Sequence, residues 1–232
     1  MRRLAVAGLV IALVVAGGAI WLDRPDFVQA LFDRLDSAAY KKGKFKGDLE
    51  VRFFSSTSGD GHPVELILLL KSFGYTDSTG ADWEVPEGFI SDGASIPEWL
   101  WAMIGGPFSG PYRDAAVIHD YFCVQKSRRW EDVHKVFLEA ALNRGTTESL
   151  AKTLYAGVLY GGPRWETPRA GISWSDVRMA QVVPTPPTKP TPPSGKTDKQ
   201  AFEELKAWIE REKPTLEEIR KRVEEVRKAQ RK

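Results

Sequence analysis

The sequence predicts an α+β fold: a small antiparallel sheet followed by a helical bundle packed on one side, with an N-terminal transmembrane helix before the domain and a C-terminal charged helical tail after it. Three observations lead there. Between residues 48 and 91 apolar residues alternate, or run in strand-length blocks separated by Gly, Ser and Asp clusters. Beyond Pro97 the apolar spacing lengthens from two to between three and four residues. The two ends then differ from the middle, one a continuous apolar run and the other dominated by Glu, Lys and Arg. The 232 residues, 42% hydrophobic and 28% charged, suffice for one domain with a real core plus appendages.

Arg2 and Arg3 open the chain, and an uncharged apolar run extends from Leu4 to Leu22, close to the ~20 residues that cross a bilayer core. A cleaved signal has a shorter apolar stretch, roughly 7 to 15 residues, that ends in small residues. Here Ile20, Trp21 and Leu22 carry the run past "AGGA", so residues 1–25 are expected to be an uncleaved anchor. Trp21 suits the membrane interface. The basic residues before the run outweigh the mixed "DRPD" after it, which places the N-terminus in the cytoplasm and the globular domain outside. Residues 26–47 are expected to hold a juxtamembrane amphipathic helix, with Phe27, Leu31, Phe32 and Leu35 on one face, and a Gly/Lys linker, "KKGKFKG".

The globular domain is expected over 48–175. Its strands are "DLEVRFFS", "VELILLLKSFGYT" and "DWEVPEGFIS", joined by the turn sequences "STSGDGHP" and "DSTGA". Its helices are a short "EWLWAMIGG", then "YRDAAVIHDYFCVQ", "RWEDVHKVFLEAALNRG" and "TESLAKTLYAGVLYGG", the last capped by Thr147 or Thr146. Residues 176–197 form a proline-rich linker that favours polyproline II and cannot pack a core. In the tail, 198–232, Leu216, Ile219, Val223 and Val226 make a narrow apolar seam, and Thr215 with Glu218 forms a capping box. The seam fits a coiled-coil segment that serves a protein partner or self-association; a helix laid weakly on its own domain is the competing expectation. Net charge is +2, with 33 basic against 31 acidic residues, which gives no electrostatic reason for nucleic acid. A single cysteine, Cys123, closes no intramolecular disulfide.

Polar groups where apolar ones are expected mark the chemistry. They are Asp92 in "FISDGASIP", His119 and Asp120 in "VIHDYFC", and Asp132 in "RRWEDVHKVF". His119 follows Ala115, Ala116 and Ile118 on an apolar helix face, so its ring is expected to face inward as a general base or a metal ligand. Asp132, from the next helix, and Asp120 are its expected carboxylate partners, with Asp92 at the rim. Ser95, otherwise the cap of the following helix, and Cys123, four residues from His119, are the candidate nucleophiles, and a water activated by His119 needs neither. A divalent metal fits His119, Asp120 and Asp132 as ligands, with Asp92 and His134 as further candidates. Cys123 is expected to be core and His134, one turn from Arg129, to be surface. The competing structural expectation is a buried network of His119, Asp120, Arg113 and Asp92 that holds the helices on the sheet.

"WEVPEGFISDGASIPEWLW", "YRDAAVIHDYFC", "RRWEDVHKVFLEAAL" and "LYAGVLYGGPRW" together resemble the bacterial and phage family called domain of unknown function 1353, over roughly residues 48–165. The resemblance aligns Asp92, Ala94, Ser95 and Pro97 with that family's turn motif, His119 and Asp120 with its tandem, and Asp132 with its later acidic position. Ser91 stands where the family usually has threonine, and Cys123 and His134 fall outside its pattern. It implies a fold and a residue list but no reaction. The function expected is therefore a membrane-anchored envelope protein with a hydrolase-like His/Asp site; the alternative is a non-catalytic, phage-derived or envelope interaction module in which that cluster is structural.

Overall fold

The computed structural model describes residues 43–57, 63–92, 108, 110–166 and 196–230. The expected anchor, the juxtamembrane helix, the "EWLWAMIGG" helix, Ser95 and the proline-rich linker lie outside the described residues. Among the described residues, no helix is long and apolar enough to cross a membrane. The elements are β1 (Lys44–Lys46), β2 (Val51–Thr57), β3 (Pro63–Leu69), β4 (Phe73–Thr76), β5 (Asp82–Val85), β6 (Ile90–Ser91), α1 (Arg113–Gln125), α2 (Trp130–Asn143), α3 (Glu148–Gly161), α4 (Lys196–Glu212) and α5 (Leu216–Gln230). The α+β class is therefore borne out, in a more divided form.

The expected single sheet is two three-stranded antiparallel sheets, ordered β1-β4-β5 and β2-β3-β6. Two expected strands each split to supply both. "VELILLLKSFGYT" breaks after Leu69, where the Leu70 N–H turns to the Glu50 carbonyl at 2.9 Å and Lys71 and Ser72 face water. "DWEVPEGFIS" breaks at Pro86, which has no N–H to continue a ladder, and turns at Gly88, held at φ +81°. Glycine suits that left-handed backbone because it has no Cβ to clash. "KFK" in the expected linker is itself β1, paired from Lys44 opposite Thr76 to Lys46 opposite Gly74. Alternation explains its place: Phe45 stacks on Phe73 while the two lysines face water.

Asp77 shapes the β4–β5 turn. Its Oδ1 accepts from the Thr79 N–H (2.8 Å), the Thr79 hydroxyl (2.6 Å) and the Ala81 N–H (3.0 Å), and its Oδ2 accepts from Trp83 Nε1 (2.8 Å). Trp83 and Val85 then point inward while Asp82 and Glu84 point out. β5 and β6 meet α1, and β1 meets α2. A second pin is Glu139, buried in α2 amid "VFLEAAL". It accepts from Tyr75 Oη (3.0 Å), the Ser78 N–H (2.6 Å) and the Ser78 hydroxyl (2.8 Å).

The helices form where the apolar spacing predicts them. α1 ends as Lys126 enters the left-handed region at φ 55°, its N–H returning to Phe122 at 2.8 Å. α3 starts on Thr147, whose hydroxyl accepts from the Leu150 N–H. α1 packs on α2 and α2 on α3 around Val117, Ile118, Phe137, Leu138 and Leu154.

The tail corrects the expectation of a reaching coiled coil. α4 and α5 pack on α3, and Phe202, Leu205, Ile209, Ile219 and Val223 join the main core. The seam's Ile219 and Val223 are buried where α5 meets α3 and α4. Arg164 pairs with Glu224 at 2.6 Å, and Arg227 donates to the Leu159 carbonyl at 2.9 Å and to that of Tyr160. Those carbonyls belong to the last turn of α3, where a helix lacks internal donors and welcomes a cation. The expected capping box on α5 is present: Glu218 accepts from the Thr215 N–H at 2.7 Å while the Glu218 N–H reaches the Thr215 hydroxyl at 3.3 Å.

A buried His/Cys centre between α1 and α2

His119 and Cys123 stand four residues apart on α1, a spacing that stacks side chains on one helix face. That face meets α2, which presents His134 from the opposite side. His119 Nε2 lies 2.9 Å from His134 Nδ1, and Cys123 Sγ lies 3.5 Å from His119 Nε2. One donor atom from each of the three residues falls within 4.8 Å of the others. Aromatic rings close the surroundings: Phe137 is 5.1 Å from the His119 ring, and Trp130 is 5.4 Å from the His134 ring, with the Arg164 guanidinium 4.5 Å from the centre of the Trp130 ring.

Burial controls the charge states. It lowers the pKa of His119 to about 4 and that of His134 well below the usual histidine value, where the neighbouring His119, Arg164 and Arg227 add repulsion. Both imidazoles are neutral near pH 7, so each has one N–H and one lone pair. Burial also pushes the Cys123 thiol up, and Asp120 reinforces the shift, so an unassisted thiolate is disfavoured. His134 Nε2 is buried without a hydrogen bond of ordinary geometry; the Pro163 backbone is the polar group that favours a proton there. Gly162 makes this approach feasible, since a Cβ at that position would sit 3.1 Å from the His134 ring and 2.3 Å from the Val158 carbonyl oxygen.

The expected His/Asp site is partly reassembled. Asp120 is buried beside His119, but its carboxylate is 3.9 Å from His119 Nδ1, beyond a direct hydrogen bond. Its bond is instead to the Ser91 hydroxyl, which donates at 2.5 Å and ties α1 to β6. Burial raises the Asp120 pKa to about 8, only partly offset by Ser91, so the group is mostly protonated near neutrality. Adjacent residues on a helix diverge by about 100°, which is why His119 faces α2 and Asp120 faces the sheet. Asp132 is exposed, and among the described residues no hydrogen bond joins it to His119. It occupies the exposed first turn of α2, where a carboxylate suits the helix N-terminus. His134, expected at the surface, is fully buried and takes the place expected for Asp132. Asp92 is half-buried at the end of β6, while Arg113 pairs with Asp114 rather than with the histidines.

His134, a further ligand candidate in the sequence, was expected at the surface, and Cys123 as a neighbour of both histidines and Ser91 escaped the sequence reading in this role. A signal existed for the first. Positions 133, 136, 137, 140 and 141 set the apolar stripe of α2, and His134 borders it one residue after Val133. Ser91 had only its inward place in an alternating strand.

An α+β domain with two hydrogen-bonded histidines and a thiol between its first two described helices is the class that fold and site define. Residues 67–158 match the family described as "Protein of unknown function (DUF1353)", in agreement with the resemblance carried by the motifs. Two uncharacterised proteins of Sinorhizobium fredii (strain NBRC 101917 / NGR234) are similar. One, y4jT, is 41% identical over 127 residues, which is 55% of this chain and 36% of that protein. The other, y4iH, is 41% identical over 98 residues, 42% of this chain and 41% of that protein. The chain thus spans about two fifths of the length of these curated relatives. No solved structure matches it.

Proposed function

We propose that this chain is a membrane-anchored envelope protein whose α+β domain hydrolyses an envelope substrate, peptidoglycan or lipid, with water activated at the His119 centre. The observation that carries the reading is the convergence of His119, His134 and Cys123 on one point inside the core, where an interhelical contact between apolar side chains would be more stable. Its role changes with its surroundings. An imidazole whose conjugate acid has a pKa of about 4 is a weak base near neutrality, so His119 acts as a ligand or positioning group for water rather than as the principal base. The anchor, residues 1–25, supplies the location and with it the substrate class.

A second reading draws on the Ser91–Asp120 bond and on the docked tail. In it the polar groups fasten α1 to its neighbours in a non-catalytic envelope or phage-derived module. The full chain, incubated with isolated sacculi and with membrane lipid extract, separates the two by mass analysis of products. Hydrolysis products that vanish in His119→Ala support the enzyme. A folded wild type without product on either substrate favours the module. A reporter fused after residue 232 tests topology: activity outside the cytoplasm is expected, and activity inside it refutes the anchor's orientation.

A further inference from the structure

The three donor atoms between α1 and α2 make a triangle of a recognisable size. Ligands bound to tetrahedral zinc at roughly 2.0 to 2.3 Å lie about 3.3 to 3.6 Å apart. The Cys123 Sγ to His119 Nε2 edge, at 3.5 Å, has that length, and the edge between the histidines, at 2.9 Å, is a few tenths of an ångström shorter. A direct bond between two neutral imidazoles explains the shorter edge but leaves a defect. Whichever ring donates, His134 Nε2 stays buried without a well-formed hydrogen bond. A cation between the rings leaves that atom as it is and takes the place of the direct bond. Both lone pairs then serve the ion, His119 carries its proton on Nδ1 on the side of Asp120, and His134 carries its proton on Nε2 facing the Pro163 backbone.

We propose that His119 Nε2, His134 Nδ1 and Cys123 Sγ bind one zinc-class divalent cation, with water as the fourth ligand. A thiolate with two imidazoles selects a borderline-soft metal over magnesium or calcium, which prefer oxygen. The proton balance is simple. Each imidazole keeps its single proton, and only the ring that donated in the direct bond moves it to the other nitrogen, while the Cys123 thiol loses one proton to solvent as the sulfur–metal bond forms. Two ligands come from one helix and one from its packed neighbour, so the site is set by the α1–α2 interface rather than by a loop. Among the described residues no fourth His, Cys, Asp or Glu joins the cluster, and a three-ligand site leaves the position that hydrolytic zinc gives to water. Only the task assigned to that water rests on the function proposed above; the binding does not.

The test uses the purified full chain, stripped with a chelator and titrated with cobalt(II), then with zinc. The expected result is one equivalent of cobalt, with ligand-field absorption of a tetrahedral site and a thiolate-to-cobalt charge-transfer band, both displaced by zinc. Cys123→Ser should abolish the charge-transfer band and weaken zinc by at least about 100-fold, beyond the 10- to 100-fold typical of outer partners such as Asp120→Asn. Circular dichroism identifies any variant that fails to fold, and His134→Gln provides an independent loss of one ligand. Absence of stoichiometric binding to folded wild-type chain overturns the proposal, as does a charge-transfer band that survives Cys123→Ser. Zinc bound without hydrolysis leaves this site standing and removes the hydrolase; hydrolysis by metal-free chain does the reverse.

Discussion

Removing the Glu139 carboxylate should loosen the β4–β5 hairpin from α2, and the structure gives the size of the effect. In Glu139→Ala three donors lose their acceptor: the Tyr75 hydroxyl, the Ser78 N–H and the Ser78 hydroxyl. Tyr75 is fully buried, and an orphaned buried donor costs roughly 1 to 3 kcal/mol. Ser78 is half-exposed and can recruit water, so its two groups lose nearer the ordinary net value, about 1 kcal/mol each. Relief of the buried carboxylate offsets part of this, and the balance is a loss of about 3 kcal/mol, or roughly 6 to 12 °C in Tm at this size. Glu139→Gln keeps an acceptor oxygen in place and should lose about 1 kcal/mol or less. Burial raises the Glu139 pKa, against the Ser78 and Tyr75 hydrogen bonds, above its ordinary 4.5. The native state therefore holds a proton that the unfolded chain releases. The stabilisation associated with that proton is complete below pH 4.5 and is lost as pH rises through the folded value. The Gln variant lacks this dependence, so its deficit relative to wild type should shrink as pH rises. Urea unfolding across pH, with an unchanged slope, measures both variants. A Glu139→Ala loss below about 1 kcal/mol, or equal losses for Ala and Gln, would refute the assignment of Glu139 as the pin.

Three further outcomes follow from packing at the helices. Phe202→Ala, which empties a fully buried ring site on α3 beside Gly157, should cost about 3 to 5 kcal/mol in urea unfolding and speed proteolysis within α4. Thr215→Ala removes the hydroxyl that accepts from Glu218 N–H and should cost about 1 kcal/mol, read by denaturation of the full chain; no change would mean that α5 is held by its apolar face alone. Gly162→Ala drives a methyl into the Val158 carbonyl and the His134 ring, so it should lower Tm and shift the His134 ring resonances; unchanged spectra would contradict the close approach.

Periodicity made the helices legible because α1, α2 and α3 each bury one continuous apolar stripe. The strands were less so. "VELILLLKSFGYT" reads as one segment, since nothing in its apolar content marks where the chain leaves one sheet for the other; the division depends on which distant strands supply hydrogen bonds. The site failed at the same level. Asp132 and His134 are two residues apart, and the angle between them on α2 decides which meets His119, but the face of α2 that turns to α1 is set by tertiary packing. Glu139 shows the limit most plainly. A carboxylate in an apolar run announces an acceptor in need of donors, yet those donors sit 61 and 64 residues earlier, in β4 and in the turn after it that Asp77 shapes.

The Arg227 clamp also has a temporal side. Synthesis runs from N- to C-terminus, and while the Leu159 carbonyl finds the Arg164 guanidinium five residues on, that of Tyr160 waits 67 residues for Arg227. Until then the last turn of α3 has neither that cation nor the Glu224 partner of Arg164, although His119, Cys123 and His134 have already left the ribosome. Arg164 and Arg227 are among the charges that keep His134 unprotonated. A nascent chain halted before α5 would therefore carry the same three donor atoms while the last turn of α3 still lacked the guanidinium that closes it.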